Sequence, residues 1–346
     1  MYHQGLALMG ELKQPEAIIS QRQAAIWNLR QLGLIAPFAT AREAVSSVVA
    51  VQAQDSAAAA RAVALRTAEN FELQATLPPE SGLVRMWTVR GTMHLVLAEE
   101  AAYHQAATVE DWFSRWGRFL DKYLPIPREQ VKQELYPRIA ALLTDKPLNH
   151  EEIAVAAQLT EPYVKVLPHL MKDLCYLGLC VRGFRDGHRA LYMRASYPKV
   201  AGLDTQAAQR WLVRRFIERY GPVTLADMVY WSGLRVPVVK ELVQQLEAEL
   251  VLVTIEGQDN PAFLLAEQLS ALLGHPQDVN LPERYLSAYD VLLLGYKDKT
   301  RFLKDEYRRK VFLSAARVAP TILSDGRIGG TWRTGKTGIE ADWFAP

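Results

Sequence analysis

One order of local patterning recurs along this chain, and it limits the folds open to it. The sequence predicts a helix over 128–143, then a second helix capped by Asn149 with Glu152 at its third position. A third runs from Glu161-Pro162 to Leu177, kinked by Pro168 and stopped by Gly178. Short strands at Leu179–Gly183 and Ala190–Arg194 flank an Asp186-Gly187 turn. The same order then repeats. A helix over 205–220 ends at Gly221-Pro222, Thr224 caps a short helix through Trp231, and Pro237 opens a helix to about Leu250. A strand at Val251–Ile255, a turn at Glu256–Pro261 and a strand at Ala262–Leu265 follow. Residues 18–97 fit the order with a longer insertion. They read as a helix over 18–32 ended by Gly33, a helix to about Ala50 opened by Thr40 and Glu43 at capping-box spacing, and an Ala-rich helix to about Thr67 capped by Asp55 or Ser56. A strand over 84–97, bent at Gly91, completes the set.

Helix, helix, helix, strand, turn, strand is the order of a winged helix. The expected fold is therefore α+β and helix-rich, with three tandem winged-helix motifs at 18–126, 127–200 and 201–266. Residues 1–17 form an N-terminal tail, loose over 1–15. In 267–346, Leu292–Tyr296 and Pro320–Leu323 read as strands. Ser324-Asp325-Gly326 turns, and Arg327–Arg333 returns as a hairpin partner, which predicts a small β-rich, barrel-like unit. Hydrophobic residues are 49% and charged residues 23% of the 346, enough for an ample core. No apolar run reaches the roughly 18 residues that cross a bilayer, and the start carries no signal-peptide pattern. Cys175 and Cys180 read as buried thiols, so a cytoplasmic location is expected.

The net charge of +2 names no partner, but its distribution does. Four arginines (182, 185, 189 and 194) stand against Asp186 on the predicted wing of the second motif. Arg210, Arg214, Arg215 and Arg219 stand against Glu218, and seven basic residues against three acids over 297–310. Wings track phosphates, where each cation displaces counterions. The candidate DNA contacts are Arg182, Arg185, Arg189, Arg214, Arg215, Lys299, Arg301 and Arg327; a solvated helix face is the competing reading for 210–219 and 297–310.

Gly330 to Thr337 satisfies G-x-x-x-x-G-K-[ST], but no strand–loop–helix unit surrounds it, so a β-turn or basic tail is expected rather than a nucleotide site. The histidines at 3, 94, 104, 150, 169, 188 and 275 have no metal-ligand spacing. What remains is Gln52-Ala53-Gln54-Asp55. In extended backbone, residues two apart project to one side, so two carboxamides converge. Such a pair can aim a water without changing protonation state, as glutamine does in GTPases. Capping or bridging of helices is the bland alternative.

Four stretches in fixed order resemble the AlkZ-like, or YcaQ-like, winged-helix DNA glycosylases, over about residues 18–333. They are Val51–Asp55, Val84–Val96, Leu292–Leu303 and Asp325–Trp332. The family signature is Gln, an apolar residue, then Gln, matched by Gln52, Ala53 and Gln54, with Ala53 a small occupant of the middle position. The resemblance implies excision of purines alkylated at N7 or N3, in some members unhooking of interstrand crosslinks, with Gln52 and Gln54 holding the attacking water. A cationic base leaves neutral and needs no strong acid, and the transition state at C1′ is oxocarbenium-like. No lysine lies in the motif, which points to a monofunctional enzyme. Arg90, Thr92 and His94 are candidate lining residues, with a satisfied core histidine as the alternative. Hairpins at 324–332 and 183–190 are candidate minor-groove wedges. The expected partner is double-stranded DNA with alkylated bases, bound by a nucleoid-associated monomer without metal, nucleotide or other cofactor. A non-enzymatic winged-helix regulator is the competing function.

Overall fold

The computed structural model describes residues 14–73, 77, 79–184 and 189–345; the expected tail thus lies mostly outside the described residues. The chain divides into two compact units, a central one spanning 39–212 and a split one made of the segment ending at Phe38 and that from Val213 onward.

The split unit begins with β1 (Ala17–Ile19) and α1 (Gln21–Gln31). The expected helix over 18–32 is thus a strand followed by a helix. Ser20 is the reason: its hydroxyl accepts from the Gln23 amide and starts α1 one residue after the β-branched Ile18-Ile19 pair. The tail boundary also moves. Glu16 already donates its amide to Leu252, and Ala17 opens β1.

The central unit carries α2 (Ala41–Ser47), β2 (Val51–Gln52), α3 (Ser56–Ala64), β3 (Leu83–Trp87), β4 (Met93–Leu97) and α4 (Ala101–Asp121). Thr40 and Glu43 form the expected capping box, and Asp55 caps α3 through the Ala58 amide. The single bent strand expected over 84–97 is a hairpin instead, β3 against β4, with β2 on the other side of β4. Next come α5 (Arg128–Gln130), a π-helical turn at Val131–Leu135, α6 (Tyr136–Leu142), α7 (His150–Ala156) and α8 (Tyr163–Tyr176). Then β5 (Cys180–Arg182) pairs with β6 (Tyr192–Arg194). Asn149 and Glu152 complete a second capping box. Leu148, just before that cap, bridges Tyr192. The core gathers Trp87, Trp112, Tyr136, Leu170 and Tyr176. At its centre the buried Asp173 carboxylate accepts from Trp112 Nε1 (2.7 Å), Arg128 Nη2 (2.5 Å) and the Tyr136 hydroxyl (2.5 Å).

Helix α9 (Thr205–Tyr220) leads into α10 (Leu225–Ser232), α11 (Val236–Gln245), β7 (Leu250–Ile255), β8 (Ala262–Leu265) and α12 (Leu269–Leu273). Val223, just before the Thr224 cap, bridges Phe263, as Leu148 bridges Tyr192. The two predicted motifs thus share one construction. The third strand of this sheet is β1, parallel to β7 with Ile19 opposite Ile255, and Ile19 packs with Val253 and Leu264. Asn28 of α1 donates to the carbonyls of Tyr220 and Gly221. Residues 18–38 therefore pack with the third motif, which departs from the expected bound of 18–126.

The chain ends with β9 (Arg284–Leu286), α13 (Val291–Gly295), α14 (Arg308–Val311), β10 (Thr321–Ser324), β11 (Arg327–Gly335) and β12 (Gly338–Trp343). The strand expected at Leu292–Tyr296 is the helix α13, capped by Asp290. The sheet runs β12-β11-β10-β9 and is open rather than barrel-like: among the described residues its edge strands β12 and β9 do not pair. The Gly330–Thr337 stretch lies on β11 and the turn into β12, with Gly335 opposite Gly338, as a β-turn reading requires.

Candidate active site

Strand β2 is two residues long and lies antiparallel to β4, with Gln52 directly opposite His94. The Ala53 amide donates to Met93 at 2.8 Å, which carries the extended backbone one residue further. Ala53 is fully buried, so its neighbours turn outward to the same side. Gln52 Nε2 donates to Gln54 Oε1 at 3.2 Å. The carboxamide pair expected from spacing alone is therefore formed, with Gln52 half-buried and Gln54 exposed.

The β3–β4 connection brings a cation to this pair. Arg90 and Gly91 both have positive φ (58° and 68°), and the Thr92 amide donates to Val89 at 3.2 Å around them. This is the primed turn that suits hairpin twist, and it favours Asn or Gly at the position Arg90 occupies. A non-glycine residue held left-handed is a site for functional scrutiny. Arg90 Nη2 donates to Gln52 Oε1 at 3.5 Å and to His94 Nε2 at 3.4 Å. His94 Nδ1 faces the Thr92 carbonyl at 3.2 Å, so it carries the proton and Nε2 is the acceptor. Burial, then the neighbouring charges of Arg90 and His104, hold this imidazole well below the ordinary histidine range, against the opposing Thr92 hydrogen bond. His94 is thus neutral at pH 7. The structure brings Gln52, Gln54, Arg90 and His94 together; Thr92 joins through its backbone.

Two residues at this place were not singled out in the sequence. Arg85 on β3 is 3% exposed and donates through Nε (2.9 Å) and Nη2 (2.6 Å) to the Ala53 carbonyl between the glutamines. Lys172 of α8 donates to the Gly91 carbonyl at 3.1 Å and lies 4.1 Å from the Trp112 ring centre. Burial pushes its ammonium down to about 8, against the nearby Asp173 and Cys175. Neither has a sequence signal beyond being a base in an apolar stretch.

The basic residues expected on DNA fare unevenly. Arg185 lies outside the described residues. Arg189 is exposed, 3.8 Å from Glu151. Arg182 is half-buried, with its guanidinium 5.3 Å from the Trp87 ring centre and 5.8 Å from that of Tyr192. Arg214 is held by Glu249 (2.6 Å), Glu218 and Glu267, and Arg215, mostly buried, by Glu218. Lys299 and Arg301 are corrected outright. Lys299, 2% exposed, is held inside, and Arg301, 3% exposed, shows only an edge of its side chain to the cavity that Arg327 lines. Lys299 donates to the Tyr296 carbonyl, and Arg301 to Asn28 Oδ1 (2.6 Å) and the Pro222 carbonyl (3.2 Å). Buried loop carbonyls need donors, and these two long side chains supply them. The exposed cations of that segment are Lys297, Lys304, Arg308, Arg309 and Lys310. Arg327 is exposed and donates to Thr300; with Arg22 and Asp325 it lines a cavity of about 380 Å³ in the split unit. Among the described residues no cluster of His, Cys, Asp or Glu has the makings of a metal site, and no helix is long and apolar enough to cross a membrane.

A family model described as DNA glycosylase AlkZ-like matches residues 45–342. An interstrand DNA cross-link repair glycosylase of Streptomyces sahachiroi is 26% identical over 335 residues, covering 90% of this chain and 87% of that protein. The solved structure of the Streptomyces sahachiroi DNA glycosylase AlkZ superposes with a TM-score of 0.78 at 23% identity, over 94% of this chain and 91% of that one.

Proposed function

Since the chain belongs to the family of AlkZ-like DNA glycosylases, we propose that it hydrolyses the N-glycosidic bond of purines alkylated at N7 or N3 in double-stranded DNA, with water held by Gln52 and Gln54. The observation that carries this reading is the convergence of the two carboxamides at 3.2 Å beside Arg90 and a neutral His94. Each amide oxygen has two lone pairs. Gln52 Oε1 accepts from Arg90 and Gln54 Oε1 accepts from Gln52, which leaves each a lone pair for one proton of a shared water. That water then turns its own lone pair toward C1′. A cationic base departs neutral, so the protein positions a nucleophile and stabilises an oxocarbenium-like sugar rather than protonating a leaving group. Arg90 suits a phosphate beside the lesion, and the exposed Arg189 and Arg327 suit contacts to the DNA backbone. The enzyme acts as a monomer in the cytoplasm, at the nucleoid. It forms no Schiff base. Crosslinked purines are a second substrate class, since the 26% identical relative is a cross-link repair glycosylase.

The test is a duplex oligonucleotide with one 7-methylguanine, incubated with enzyme and cleaved in alkali at any abasic site. Cleavage by the wild-type chain, loss in the Gln52→Ala/Gln54→Ala variant with DNA affinity kept, and no borohydride-trapped complex are expected. A chain that binds DNA but cleaves neither this substrate nor a crosslinked one is a binding protein, and the proposal fails.

A further inference from the structure

The glutamine pair is held from behind by a residue from another strand. The two hydrogen-bonding groups of Ala53 are both engaged: its amide by Met93 of β4, its carbonyl by Arg85 of β3 through two parallel N–H groups. The third contact of the same guanidinium reaches in the other direction. Arg85 Nη1 donates to the Gly183 carbonyl at 2.6 Å, and the guanidinium carbon lies 4.5 Å from the centre of the Phe184 ring. Gly183 in turn donates its amide to Leu191 at 3.0 Å, closing the β5–β6 ladder just beyond Arg182. One planar group therefore spans the peptide between the two glutamines and the far end of the β5–β6 hairpin, more than ninety residues away in sequence.

We propose that Arg85 is a positioning residue for the glutamine pair, and that it makes the pair's geometry depend on the β5–β6 hairpin of the neighbouring winged helix. Rotation of the Ala53 peptide would swing the Gln52 and Gln54 side chains apart, because it changes the backbone angles on either side of residue 53. Two donors from a rigid fork forbid that rotation; one donor on a flexible stem does not. The Phe184 ring keeps the fork in plane. The idea rests on the reading that Gln52 and Gln54 position the water.

The variant Arg85→Lys keeps the charge and removes the fork. Single-turnover excision of 7-methylguanine under saturating enzyme is expected to fall roughly 10- to 100-fold, the range that about 1 Å of misplacement produces. DNA affinity should change less than threefold, and amide hydrogen exchange should speed up at 52–55. Phe184→Leu, which leaves the glutamine strand and β3 untouched, should give a smaller fall of the same kind, and serves alone if Arg85→Lys does not fold. Rates within twofold of wild type overturn the proposal, as does a rate loss fully accounted for by weaker DNA binding. If the wild-type chain excises nothing, the functional reading fails on its own; faster exchange confined to 52–55 in Arg85→Lys still supports the positioning role, and unchanged exchange removes it.

Discussion

Two turns in this molecule hold a residue and the glycine after it at positive φ, but differ in that residue. At the β10–β11 connection, Asp325 and Gly326 carry φ of 45° and 79°, with Ser324 opposite Arg327. At the β3–β4 connection, Arg90 and Gly91 carry 58° and 68°. Asp-Gly is what this turn asks for: Asp tolerates the left-handed region and Gly adopts it freely. Arg-Gly is not. The first turn is explained by its own chemistry, with Asp325 left to pair with Arg22 at 3.2 Å on the surface. The second keeps a side chain that the turn does not favour, and that side chain lies on Gln52 and His94. Turn preference therefore does not account for Arg90, whose contacts run to Gln52 and His94 instead.

Four measurements separate the roles of Arg90 and Asp325. Arg90→Ala should lower single-turnover excision about 10- to 100-fold by removing a placed cation, while Asp325→Ala leaves that rate within about threefold. Equal losses at the two turns would end the distinction. Gly91→Ala and Gly326→Ala should each destabilise by roughly 1–2 kcal/mol in thermal unfolding, since both positions are left-handed. The larger loss is expected at Gly326, where an added Cβ would lie 2.9 Å from Leu281. Arg90→Asn should stabilise by about 0.5–1 kcal/mol while still losing activity, whereas Asp325→Asn stays within about 0.5 kcal/mol. A stability loss in Arg90→Asn would show that the arginine is there for the fold.

The fourth measurement is pH. His94 is buried neutral, so its folded-state value lies below its unfolded one, and the unfolded chain binds the extra proton first on acidification. Its contribution is complete above about pH 6.5 and erodes as pH falls from there toward the folded value. The unfolding midpoint should decline below pH 6.5 in the wild type and decline less in His94→Gln. The single-turnover rate should pass through pH 6.5 without a histidine inflection.

How much of this was legible follows from what each residue signals. Thr40 with Glu43, Asn149 with Glu152, and Asp325-Gly326 declare their local structure by hydrogen-bonding chemistry, and each stands where the sequence placed it. Gln52 and Gln54 were legible as a converging pair because period-two projection is a property of extended backbone. Val291–Gly295 was not legible as a helix: a short apolar run has no period to read, and the decisive residue was the Asp290 cap before it. Helix α4 carried no read boundary at all. Lys299 and Arg301 look like their exposed neighbours in any charge count, since a formal charge does not say whether carbonyls or water surround it. Arg85 was hidden for the same reason, in a strand whose other residues advertise a core.

The parallel pairing of β1 with β7 joins residues 17–19 to 253–255. In chain order the central unit thus interrupts the split one, like a clause within a sentence. During synthesis the nested unit has all its strands once residue 194 has emerged, while Ile19 must wait for Ile255. The loop between them closes late and over a long span, the kind of contact that sets folding rate more than stability. A ribosome stalled near residue 240 should therefore display a protease-resistant central unit beside an N-terminal strand still without its partner.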